Sequence, residues 1–157
     1  MKFIHFILAS VPVLASPPGF PGASLLKSYC PPRPASPTRQ RAIFEEAVQT
    51  LLVEKKFVEG IWKHYDKDYI QHEPSILSGR QNTLDAFSAI NPENINYNII
   101  NKGIGMDHAW ILQSLERVGV EPMGLIDVFR FNGTCIIEHW NVYMEKPANA
   151  INPLPLW

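Results

Sequence analysis

Between Thr38 and Lys146 the apolar residues fall first at helical and then at strand spacing. Ile43, Ala47, Val48, Leu51 and Leu52 recur at the period of one helix face, with Thr38 placed to cap its start. A second helical stretch covers Glu54 to Tyr65, with Phe57, Val58, Ile61 and Trp62 on one side. Asp66 and Asp68 break it into the extended run Tyr69-Ile70-Gln71-His72-Glu73-Pro74. A short helix follows from Gly79-Arg80 to Ile90, with Leu84 and Phe87 inward, and Asn91-Pro92 stops it. Beyond this point the period becomes 2. Ile95, Tyr97 and Ile99 alternate with asparagines; His108 to Leu115, Gly124 to Phe131 and Cys135 to Met144 read as longer strands. Helices first and antiparallel strands last predict an α+β domain: N-terminal helices packed on one face of a strongly curved, mostly antiparallel sheet. Such a cone-shaped barrel leaves a pocket suited to a small apolar ligand.

The ends of the chain follow a different pattern. Residues 1–15 carry one early lysine, then an apolar run ending in Val13-Leu14-Ala15, the layout of a signal peptide for secretion. That run is shorter than the roughly 20 residues needed to span a bilayer; a buried N-terminal strand or a membrane anchor is the alternative to a signal, and once a signal is cleaved no membrane association is expected. Residues 16–37 hold Pro17, Pro18, Pro21, Pro31, Pro32, Pro34 and Pro37, half of the 14 prolines, and predict a disordered arm. Residues 38–147 form the domain, and 148–157, with Pro153 and Pro155, an irregular tail. Hydrophobic residues make up 46% of the chain, enough for a globular core, and the net charge of −1 argues against a nucleic-acid partner.

Cys30 and Cys135 either pair, stapling the Pro-rich segment to a late strand, or stand as separate thiols. Asn132-Gly133-Thr134 is an N-glycosylation sequon of the kind a secreted glycoprotein carries, and Asn-Gly is equally the favoured pair of a two-residue hairpin turn. No metal motif, GxSxG, Gly-rich phosphate loop or CxxC is present. His64 and His108 read as surface or strand-edge residues, and Trp62, Trp110 and Trp140 as core.

Candidate chemistry lies in polar residues set among apolar strand positions. Asp127 shares a face with Leu125, Phe129 and Phe131, and is either an edge charge or a buried carboxyl. In the last strand Ile137, His139 and Asn141 share one face and Glu138, Trp140 and Val142 the other. A two-residue turn at Asn132-Gly133 sets Asp127 opposite Glu138, whereas a bulge brings it beside His139. An imidazole beside a carboxylate is a proton-transfer pair. His72 is a third candidate, with a turn-bonding histidine as its alternative.

Three segments together resemble the SnoaL-like polyketide cyclase family of the nuclear transport factor 2-like superfamily. They are Tyr69-Ile70-Gln71-His72-Glu73-Pro74 with the following Gly79-Arg80, then Asp127-Val128-Phe129-Arg130-Phe131, then Asn132-Gly133 through Ile137-Glu138-His139-Trp140. The resemblance implies a cone-like α+β barrel, often dimeric through the outer sheet face, and a cyclase or isomerase chemistry needing neither metal nor organic cofactor. A pocket acid/base group there removes a proton next to a carbonyl of a small apolar metabolite. Carried over, Asp127, His139 and His72 are the catalytic candidates, and Tyr69, Trp110, Phe129 and Asn141 the substrate contacts. Glu73 and Asn141 depart from the family pattern, which often has Asn and Asp there. Relatives of this kind mostly act inside cells, so the export signal also suits a second reading, a secreted ligand-binding or interaction protein without chemistry.

Overall fold

The computed structural model describes residues 27–154 and residue 157. The expected signal peptide at 1–15 and the first part of the Pro-rich arm lie outside the described residues. Three helices, α1 (Pro37–Val48), α2 (Phe57–His64) and α3 (Arg80–Ser88), pack on a five-stranded sheet. Its strands are β1 (Tyr65–Gln71), β2 (Ile95–Gly105), β3 (His108–Arg117), β4 (Val120–Asn132) and β5 (Cys135–Met144), in spatial order β1-β5-β4-β3-β2. The long strands pair antiparallel, as expected, and β1 joins the edge parallel to β5. The fold is α+β, with the helices on the concave face.

Local chemistry accounts for most boundaries. Ser36 rather than Thr38 caps α1, accepting the Arg39 N–H at 3.2 Å, because Pro37 suits the first helical position, where no donor is needed. A π-helical turn, Gln49–Val53, prolongs the helix and keeps Leu51 in the core. The helix expected through Tyr65 ends at His64, and Tyr65 already belongs to β1. Ile43, Phe44, Val48, Phe57, Ile61 and Leu84 from the helices meet Ile111, Leu125, Phe131 and Ile136 from the sheet. Each such fully buried side chain contributes about 1.5–3 kcal/mol.

Residues 27–36, expected to form part of a disordered arm, lie against the domain as a strap. The Tyr29 N–H donates to Lys63 O (2.8 Å), and the Arg33 carbonyl accepts from Thr134 N (2.9 Å). The Tyr29 hydroxyl and Lys63 both bond Glu46. Cys30 and Cys135 form a disulfide, their Cα atoms 5.1 Å apart. Prolines forbid helix and ladder, yet an extended segment with covalent and hydrogen-bonded anchors needs neither.

One turn and one burial expectation change. Asn132 pairs with Cys135, so Gly133 and Thr134 form the turn, Gly133 taking a φ of 54°. His64, expected at the surface, is wholly buried at the end of α2 beneath the strap, its ring 5.1 Å from that of Tyr29. Among the described residues neither of its ring nitrogens has a partner. Residues 145–154 run without helix or strand. Among the described residues no helix is long and apolar enough to cross a membrane.

Burial pushes the His64 imidazole down to about 4. Between that value and its ordinary 6.5 the unfolded chain binds a proton that the folded chain does not. Stability therefore falls as pH drops through this window, by on the order of 3 kcal/mol in all. His64→Phe is expected to lose that part of the acid sensitivity, so the stability gap between variant and wild type shifts in the variant's favour from pH 7 to pH 4. Urea unfolding at the two pH values measures it, and an unchanged gap would contradict it.

Candidate active site

The register between β4 and β5 builds the site. Asn132↔Cys135 and Phe131↔Ile136 pair directly, then one residue is skipped and Arg130 faces Glu138, Phe129 faces His139 and Asp127 faces Asn141. The extra residue is Ile137. This bulge turns His139 and Asn141 to the concave face with Asp127 and Phe129, and sends Glu138 outside to pair with Arg130. On β1, Gln71 pairs with His139, so Gln71 points inward and its neighbour His72 outward.

A cavity of about 500 Å³ lies between the helices and the concave face. Its walls are mostly apolar, from Val48, Leu51, Phe57, Ile111 and Leu125 among others. Tyr69, Phe129, Asn141, Asp127 and His139 all line it, while exposed Ser75, Arg117 and Val120 stand at its open end.

Within this mostly apolar setting the Asp127–His139 pair has defined partners. His139 Nε2 is 2.8 Å from Asp127 Oδ1, and its Nδ1 is 2.9 Å from Gln71 Oε1. The Glu73 backbone N–H donates to the same Gln71 oxygen at 3.2 Å, which fixes that atom as an acceptor. Nδ1 must then carry hydrogen. Two bare acceptors would repel across the Nε2···Oδ1 contact, so a second proton lies there, an assignment that follows from the network. The other carboxyl oxygen, Oδ2, accepts from Gln113 Nε2 at 2.6 Å, and the Phe129 ring stacks on the imidazole at 4.7 Å. Asp127 and His139 thus form an overall neutral pair, either imidazolium with carboxylate or imidazole with carboxylic acid. Such a pair can take a proton from a ligand or give one back while the cavity gains no net charge.

Buried phenols add to the polar set. Burial, together with the nearby Asp127 charge, pushes the Tyr65, Tyr69 and Tyr97 hydroxyls well above the usual tyrosine range, with Tyr65 adding to the effect on Tyr69. They remain protonated and can donate to an oxyanion.

His72 and Trp110 are not brought to this cavity. His72 lies on the outer face, its ring stacked on Trp140 at 4.8 Å and Nε2 2.8 Å from Glu138 Oε1. The His72 hydrogen bond, with Arg130, holds the Glu138 carboxyl below the usual carboxylate range. Trp110 pairs with Val128 on the outer face, where its indole lies over Gly103, a position at which any side chain would meet the ring. Period-2 alternation puts both residues there. Asn141 donates to the Tyr143 hydroxyl at 3.1 Å. Gln71 and Gln113, which orient the pair, have no part in the sequence-based site. Gln113 sits between Ile111 and Leu115 on one strand face, the same signal that singled out Asp127. Among the described residues one trio, Cys30, Asp66 and Cys135, is spaced for a metal, but both sulfurs are committed to the disulfide.

No protein-family model matches the chain, and no curated protein matches it. Solved structures do. A nuclear transport factor 2-like protein of unknown function from Burkholderia xenovorans LB400 superposes with a TM-score of 0.58 at 14% identity, covering 71% of this chain and 89% of that one. A protein from Streptomyces galilaeus provisionally described as a hydroxylase gives 0.55 at 17% identity, covering 71% and 83%. A protein from Jannaschia sp. CCS1, provisionally described as a SnoaL-like polyketide cyclase, gives 0.53 at 13% identity, covering 71% and 90%. These names span different activities, so the likeness is one of fold. The chain has the nuclear transport factor 2-like fold, in the form shared with SnoaL-like polyketide cyclases, the family its sequence resembles.

Proposed function

We propose that this protein is an exported acid/base catalyst acting on a small apolar metabolite that carries a carbonyl group, with cyclisation or isomerisation as the outcome. The observation that carries this reading is the hydrogen-bonded Asp127–His139 pair set in a mostly apolar cavity. In the imidazolium–carboxylate form Asp127 removes a proton from the carbon next to the carbonyl. The electron pair moves onto the carbonyl oxygen, where a neutral phenol from Tyr65, Tyr69 or Tyr97 donates a hydrogen bond. The enolate then attacks a second carbonyl of the same molecule and closes a ring, or is reprotonated elsewhere and isomerises. Tyr69, Phe129 and Asn141 hold the ligand. His72 has no place in this scheme because it faces away from the cavity. Fold relatives named as polyketide cyclases support the ligand class.

A second reading, ligand binding without chemistry, draws on Asn141. It stands directly across from Asp127, where the family pattern often has a second carboxylate. Solvent-deuterium exchange separates the two. Incubated in D₂O with small polyketide-like diketones, the protein is expected to speed label uptake at the carbon between the carbonyls, followed by NMR. Asp127→Asn is expected to lower that rate by about 10²–10⁴-fold, the usual worth of a positioned acid/base. Binding without accelerated exchange would favour the second reading.

A homodimer through the outer sheet face belongs to the same proposal. Trp110, Val128 and Trp140 form one cross-strand row there, and Trp110 is 40% exposed. Apolar rows of this kind are more often covered than bare. Sedimentation is expected to give a dimer, and Trp110→Lys with Trp140→Glu a monomer; a monomeric wild type would refute the dimer.

A further inference from the structure

The Asn132-Gly133-Thr134 sequon is also the part of the barrel that the strap grips. The rule Asn-Xaa-Thr means that the transferring enzyme needs the threonine hydroxyl as well as the asparagine amide. Here the two have opposite fates. Asn132 is exposed, whereas Thr134 is 7% exposed and its hydroxyl is used twice, donating to the Tyr29 carbonyl (2.6 Å) and accepting from the Arg33 N–H (3.2 Å). The Thr134 N–H donates to the Arg33 carbonyl, the Gly133 carbonyl accepts from Gln40 Nε2 at 3.1 Å, and the Arg33 carbonyl sits where any Gly133 side chain would be. Cys135, the next residue, is covalently joined to the strap through Cys30.

We propose that docking of the strap switches off Asn132 as a glycan acceptor: N-glycosylation proceeds only on the chain whose strap is open, and closure of Cys30–Cys135 ends it. The reaction joins Asn132 Nδ2 to C1 of the first sugar of a lipid-pyrophosphate-linked oligosaccharide. The C1–O bond to the pyrophosphate breaks, the lipid pyrophosphate leaves with that electron pair, and the amide gives up one proton. Nothing in this chemistry is hindered at Asn132 itself; the hydroxyl that must be read is hidden. Cys30 precedes Cys135 by 105 residues, so the strap has already been synthesised when the sequon appears, and folding competes with transfer from the outset. Occupancy is therefore set by how fast the disulfide forms.

This inference rests on the chain being exported, so the test supplies export independently. The full chain is expressed behind an efficient export leader in a glycosylating host, and occupancy is read as a gel shift removed by a deglycosylating amidase and absent in Asn132→Gln. Wild type is expected to be a minor glycoform, with occupancy at least threefold higher in Cys30→Ser or when reductant is added during synthesis. Ile111→Ala, which weakens the core but leaves strap and cysteines intact, is expected to stay near wild type. Equal occupancy in wild type and Cys30→Ser, whether full or nil, would overturn the proposal, and so would an Ile111→Ala rise as large as that of Cys30→Ser. Protease protection of the chain bearing only its own residues 1–15 as leader reports on export separately.

Discussion

A single extra residue in β5 decides what the cavity contains. Side chains on a strand alternate between faces, so without the skip at Ile137 Trp140 would face Asp127 across the hairpin and Glu138 would face Phe129, both on the cavity side. Two carboxylates would then share an apolar cavity, and His139 would look out to solvent. Beyond the bulge, His139, Asn141 and Tyr143 turn inward, while Glu138 finds Arg130 and His72 outside. The charges that are costly to bury alone are thereby sorted, one carboxylate to an imidazole within and the other to the Arg130 guanidinium and the His72 ring outside. Parallel pairing of β1 with β5 then brings Gln71 to His139, which orients the ring.

The strap closes the opposite end of the same hairpin. Cys135 lies one residue before Ile136 and turns away from the cavity, toward Cys30. A bridge across so long a separation typically adds about 2–4 kcal/mol. It also covers His64, whose buried, unpartnered ring makes the end of α2 sensitive to acid. Tyr29 links these pieces, with its ring on His64, its hydroxyl on Glu46 and its carbonyl on Thr134. One short segment thus joins the helices to the last hairpin.

Periodicity made most of the fold legible. Three helices and four long strands follow from apolar spacing, and Cys135–Met144 has the bounds its alternation implies. The short edge strand β1 was hidden because Asp66, Lys67 and Asp68 break any alternation, and only pairing with β5 makes it a strand. In the site, Asp127 was legible as a polar residue in an apolar row and a bulge was one of two expectations, but the turn itself moved to Gly133-Thr134, so Asp127 pairs with Asn141 and meets His139 diagonally. Which register holds depends on contacts far apart in sequence, including Gln71 on β1 and Arg130 on β4. His72 and Trp110 went to the wrong face because a motif names residue types but not the side on which alternation leaves them. His64 shows the same limit: a polar residue next to the charged run beginning at Asp66 reads as exposed until the strap covers it.

Asp127 and His139 share one proton inside the cavity while Nδ1 of the ring holds another for Gln71. Histidine-labelled ¹⁵N NMR of the ligand-free protein tests it directly. The account predicts a protonated Nδ1 and a slowly exchanging, strongly downfield proton on the Nε2···Asp127 contact, which disappears in Asp127→Asn. An Nδ1 without hydrogen, or an Nε2 signal indifferent to that substitution, would contradict it.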